Sequence, residues 1–89
     1  MDVAVASTRM ECWMALKRGR DAVILNDRLF GFFVFTGETG FEAVRQSGLW
    51  IEAEMALPVS RFFIPNLSLK QLEEKLAALP LKGEAYAVR

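Results

Sequence analysis

A chain of 89 residues, 53% hydrophobic and 11% aromatic, has material for one core but not two, and too much apolar surface to stay unfolded. Eleven Lys and Arg balance eleven Asp and Glu, histidine is absent and Cys12 is the single cysteine. These counts exclude His-dependent nucleophile pairs, His-ligated metals, an intramolecular disulfide and a net field toward polyanions. One α+β domain over residues 1–89 is expected, with no cofactor and no catalytic role.

The first seven residues carry an acid and no basic run, which reads against a signal peptide and for a cytoplasmic protein. Val3 to Ala6 is the first extended candidate. Thr8 followed by Glu11 has the grammar of a helix start, with Gly19 as its stop. Alternation through Met10, Cys12, Met14 and Leu16 fits a strand nearly as well, so residues 8–18 stay open between the two. Cys12 beside Trp13 reads as a small buried hydrophobe. Lys17-Arg18-Gly19-Arg20 could hold a phosphate, but cations also suit the last turn of a helix.

Ala22 to Leu25 is a second strand, followed by a turn at Asn26-Asp27-Arg28. Leu29 to Phe35 is apolar at both parities, as a strand covered on both faces requires. The same run is far short of the roughly 20 residues that span a bilayer, so no membrane contact is expected. Thr36-Gly37-Glu38-Thr39-Gly40 leads from strand to helix without the Lys-Ser/Thr of a phosphate loop, so it reads as a turn. Thr39 with Glu42 predicts a helix to about Ser47, closed by Gly48. In Leu49 to Met55 the odd positions are apolar, whereas the even ones are Trp50, Glu52 and Glu54, the pattern of a half-buried strand. Ser60 to Ile64 is another Phe-rich strand. Ser68 and Gln71 form a capping box, Leu67 and Leu72 a hydrophobic staple, and a helix runs from about Leu69 to Leu79, where Pro80 stops it. Glu84 to Val88 is a last extended candidate.

From about residue 29 this order is strand, helix, strand, strand, helix, strand, the βαββαβ arrangement of ferredoxin-like domains. The expected fold is a two-layer antiparallel sheet with helices on one face and an N-terminal extension. A rival frame finds the same order between residue 2 and about residue 56. A tight connection at Ala56 to Val59 sets Glu54 opposite Arg61 and Glu52 opposite Phe63. The sheet face away from the helices would then carry Trp50, Arg61, Phe63, Tyr86 and one parity of the 30–35 run, here taken as Phe30 and Phe32.

An aromatic face of this kind is seldom left bare on a monomer. The expected partner is a second copy of the chain, or a larger protein, covering that face in a scaffolding, regulatory or interface ligand-binding role. The alternative is single-stranded nucleic-acid binding. Arg28-Leu29-Phe30-Gly31-Phe32-Phe33-Val34-Phe35 resembles the octapeptide of RNA-recognition-motif domains in six of eight places. That resemblance implies backbone contact by Arg28 and base stacking by Phe30 and Phe32. Glu52 and Glu54 are the nearest approach to a catalytic carboxylate pair, on one strand face about 7 Å apart, but Arg61 opposite would hold both ionised.

Overall fold

In the computed structural model, which describes residues 1–27, 31–56 and 59–81, the extended runs assemble into a single five-stranded sheet. The elements are β1 (Val3–Ala6), α1 (Arg9–Lys17), β2 (Ala22–Asp27), β3 (Gly31–Thr36), α2 (Glu38–Ser47), β4 (Glu52–Glu54), β5 (Ser60–Ile64) and α3 (Leu69–Ala77). Phe30, Tyr86 and the strand expected at Glu84 to Val88 lie outside the described residues.

Two of the three helices start where side chains can satisfy their free backbone N–H groups. The Thr8 hydroxyl accepts from the Glu11 N–H at 3.2 Å and the Glu11 carboxylate accepts from the Ser7 N–H at 3.3 Å, which settles residues 9–17 as helix. At α3, the Ser68 hydroxyl accepts from the Gln71 N–H at 3.2 Å while the Gln71 amide oxygen accepts from the Ser68 N–H at 3.0 Å. The third start differs from expectation: α2 begins at Glu38 with Gly37 as its cap and no capping side chain. Thr39 therefore lies inside the first turn, and Glu42 pairs with Arg45 at 2.7 Å. Gly48, with φ +73°, closes α2 in the left-handed conformation, as the sequence indicated.

The sheet order is β1-β2-β3-β5-β4, with β1 and β2 parallel and every other pair antiparallel. It is thus a mixed sheet, and its order differs from the ferredoxin-like one. The segment β3-α2-β4-β5-α3 follows that scheme, with β5 between β3 and β4. The position beside β3, which the scheme gives to the C-terminal strand, is held by β2. A hairpin in which Asp27 pairs with Gly31 closes a far shorter loop than a strand from the chain's end would. Residues 22–25 are all buried, as a strand inside a sheet must be.

Helices cover both faces, not one. Ala22, Ile24, Val34, Phe62 and Ile64 form the main core with Val44 of α2 and with Leu72 and Leu76 of α3. On the opposite face Cys12, Ala15 and Leu16 of α1 meet Ala6, Val23 and Leu25. Handedness accounts for the split. Crossover connections between parallel strands are right-handed, and both β1-α1-β2 and β3-α2-β4 step the same way across the sheet. Since β3 runs opposite to β1, the same hand places α2 on the face opposite α1. Over β3, β5 and β4 the architecture has two layers; over β1 and β2, α1 adds a third.

Candidate interaction face

The helix-free part of the sheet lies over β3, β5 and β4, on the face that α1 covers elsewhere. Period-2 alternation brings Phe33 and Phe35 of β3, Arg61 and Phe63 of β5, and Glu52 and Glu54 of β4 to this face. The register is the one expected: Glu54 is opposite Arg61 and Glu52 opposite Phe63. Arg61 Nη2 sits 3.0 Å from Glu54 Oε2, and its guanidinium carbon is 5.2 Å from the centre of the Phe33 ring. Phe33 and Phe63 lie 5.2 Å apart at 42°, a tilted contact of the kind aromatic pairs favour. Phe33, Arg61, Phe63, Glu52 and Glu54, with Trp50, Ile51 and Ala53 along the β4 edge, line a trough of about 350 Å³. A smaller hollow of about 180 Å³, lined by Arg9, Phe35, Glu54, Val59 and Arg61, continues it toward α1.

Two of the expected face residues are on the other side. Phe32 alternates with Phe33 and packs against the helix-covered core. A two-sided apolar strand carries no parity signal; its partners decide, and Phe32 is opposite Ile64, a core residue. Trp50 also turns to the helix side, because β4 begins only at Glu52 and the alternation does not extend back to residue 50. Its indole N–H donates to the Arg45 carbonyl at 3.0 Å, near the end of α2, and its ring rests 5.6 Å from Phe62. Of the six expected residues, Arg61 and Phe63 are therefore on the open face, Phe32 is on the opposite one, Trp50 packs on the helix side while also bordering the trough at the β4 edge, and Phe30 and Tyr86 lie outside the described residues. The base-stacking role that the octapeptide resemblance implied for Phe32 has no basis in this position. Phe33, a departure from that octapeptide, and Phe35, its last position, are the β3 aromatics on the open face.

The sequence did not single out the neighbour of this trough. α1 is apolar on two opposite sides. Cys12, Ala15 and Leu16 turn inward, while Met10, Trp13 and Met14 stand 66%, 50% and 43% exposed. A helix apolar on two sides is ordinarily buried on both. Where Met10, Trp13 and Met14 point is set by which side of α1 meets the sheet, not by their spacing alone.

The basic cluster divides. Arg20 is drawn to β1, where Nη2 donates to the Val3 carbonyl at 2.8 Å and Nε lies 3.0 Å from Asp2 Oδ2. Lys17 and Arg18 remain exposed at the end of α1. Burial, and then the Glu11 carboxylate, push the Cys12 thiol above its ordinary range. Among the described residues no three His, Cys, Asp or Glu side chains converge as a metal site requires, and no helix is long and apolar enough to cross a membrane. No protein family, curated protein or solved structure matches the chain, so the face is read from its own geometry.

Proposed function

We propose that this chain is a non-enzymatic interaction module that works as a homodimer, with the open sheet face and the outer side of α1 forming the interface. The observation that carries the reading is that three of the six large exposed hydrophobics among the described residues, Met10, Trp13 and Met14, stand on the side of the sheet where β3, β5 and β4 carry Phe33, Phe35 and Phe63 with no helix laid across them. Glu52 and Glu54 stand on an exposed edge strand, Glu54 in an ion pair with Arg61, which suits a polar rim better than an enclosed acid/base site. A scaffolding or regulatory role in the cytoplasm fits such a module.

The energetics are of the right size. A tryptophan buries 150–250 Å² in all, so covering the exposed half of Trp13 removes about 100 Å² from water and contributes about 2.5 kcal/mol. Met10 and Met14 add about 1 kcal/mol each on the same scale. Counted on both subunits this is about 9 kcal/mol, in the middle of the 4–15 kcal/mol that association costs. The net strength then rests on the aromatic trough, which would have to contribute about 8 kcal/mol for a micromolar dimer. The zero net charge leaves little long-range repulsion between copies.

Sedimentation equilibrium at 1–100 µM tests this, and the expected species is a dimer, with Phe63→Glu shifting it to monomer while leaving a cooperative unfolding transition. A wild-type monomer throughout that range would overturn the reading, as would salt-sensitive binding of a mixed-sequence oligonucleotide by a monomeric protein.

A further inference from the structure

Resting on that reading, the geometry points to one specific dimer: a two-fold axis running along β3, with the α1 helix of each copy lying in the open trough of the other. Both α1 helices would then share a single layer between two sheets. The inward side of each would touch its own β1 and β2, and the outward side its partner's β3, β5 and β4.

Three observations converge on this arrangement. The first is width. Strands are spaced 4.7–4.9 Å apart, so three strands present a floor about 14 Å across, enough to seat one helix of about 10 Å diameter. α1 stands on the strands beside that floor, so a rotation about an axis near the middle strand carries the helix of one copy onto the bare floor of the other.

The second is chemical match along the helix. Its outward stripe is Met10, Trp13, Met14 and Lys17, spaced i, i+3, i+4 and i+7, the spacing of one face of a helix laid in a groove. The apolar part suits Phe33, Phe35 and Phe63. The third is charge. The exposed cations Lys17 and Arg18 end this stripe, while the trough is rimmed on β4 by Glu52 and Glu54. Among the described residues Glu52 has no ion pair within the chain. A second copy presents a knob and cations to the hollow and carboxylates of the first, and the same match is made twice by symmetry.

A complementation experiment tests the arrangement. Trp13→Glu spoils the helix side and Phe63→Lys spoils the trough. Each variant alone would break both of its symmetric contacts, and its dimer dissociation constant would rise by about thirty-fold or more, as for loss of a central anchor. Mixed one to one, they form a heterodimer with one native contact, between Trp13 of the Phe63→Lys copy and Phe63 of the Trp13→Glu copy. The other contact becomes a Glu–Lys pair. The expected result is that the mixture sediments as a dimer at concentrations where each variant alone is monomeric. If either variant alone remains a dimer, or both are monomers and the mixture stays monomeric, this arrangement is wrong. A dimeric wild type in that case would retain the proposed self-association through another geometry; a monomeric wild type would remove both. Cooperative urea unfolding of each variant shows that loss of association is not loss of fold.

Discussion

Replacing Gly40 with alanine sets two well-measured effects against each other. Gly40 sits in the first turn of α2, and in a helix alanine is favoured over glycine by about 0.8–1.0 kcal/mol. Helix propensity alone therefore predicts a stabilised protein. In the fold, however, the first turn of α2 rests on the start of β2. A Cβ at position 40 would lie 2.8 Å from the Asp21 carbonyl carbon and closer still to its oxygen. Both are backbone atoms of a residue immediately preceding a buried strand, and neither can swing aside as a flexible side chain would.

To reach an ordinary contact of about 3.4 Å or more from the oxygen as well as the carbon, the N-terminal end of α2 must lift by more than an ångström. A gap of 0.5–1 Å forfeits a quarter to a half of each dispersion contact it opens, and Val44 and Phe41 on that helix pack against the core around Phe62. Overpacking of this kind costs about 1–3 kcal/mol, and a rigid backbone obstacle puts it near the top of that range. After the helix-propensity gain, a net loss of about 2 kcal/mol remains. At 4–8 °C per kcal/mol for a domain of this size, Tm falls by about 8–16 °C. Urea unfolding followed by circular dichroism, at one fixed protein concentration because association shifts the midpoint, gives the value directly. An unchanged or raised midpoint with an unchanged slope would mean that α2 does not approach β2 this closely, and the reasoning would fail.

Three further outcomes follow from local features. Ser68→Ala removes the cap of α3 and should cost about 1 kcal/mol, whereas Thr39→Ala, at an exposed site inside the first turn of α2, should stay within about 0.5 kcal/mol of wild type; equal losses in urea unfolding would contradict the observed start of α2. The Cys12 thiol, raised by burial and by Glu11, should react with a disulfide reagent much more slowly in the native protein at pH 8 than after unfolding, and native reactivity equal to that of a free thiol would contradict its placement under α1. The sign of the linked pH effect is fixed: below the ordinary thiol value of 9.0 both states hold the proton, and above it the unfolded chain ionises first. Stability should therefore fall as pH rises above 9.0, less steeply in Cys12→Ala.

Features that depend on neighbours in the chain were legible in advance. The Ser68–Gln71 box, the Gly48 stop and the Glu54–Arg61 register are each fixed by a few adjacent residues or by one short connection. Where two local signals competed, the sequence could not choose. Residues 8–17 satisfy both a helical and an alternating pattern, and the Thr8 and Glu11 caps tip them to helix. Thr39 and Glu42 carry a cap signature that the protein does not use: α2 starts one residue earlier, at Glu38, and Gly40 in its first turn meets the Asp21 backbone. Trp50 shows the limit of period-2 reasoning. Alternation holds only within a strand, and a large ring two residues outside β4 is free to find a hydrogen-bond acceptor and an aromatic neighbour on the other side of the sheet.

The candidate face was legible in part, for a different reason. Excess apolar surface is a property of composition, but where it emerges is a property of topology. The apolar sequence of β3 says that both of its sides seek cover without saying which one goes without. Right-handed crossovers stepping across the sheet in one direction, from strands of opposite sense, send α1 to one face and α2 to the other. With α3 also on the side of α2, that face is paved by two helices and its opposite by one. One helix of about 10 Å diameter covers about two strands spaced 4.7–4.9 Å apart. Five strands therefore leave about three without a helix over them on the α1 side, and these bear Phe33, Phe35 and Phe63, which stay only half-buried. The outward apolar stripe of α1 is the counterpart of this deficit. It has the polarity of the missing cover, and this pairing of a deficit with its complement on the same side of the sheet is what the proposed dimer would satisfy at once.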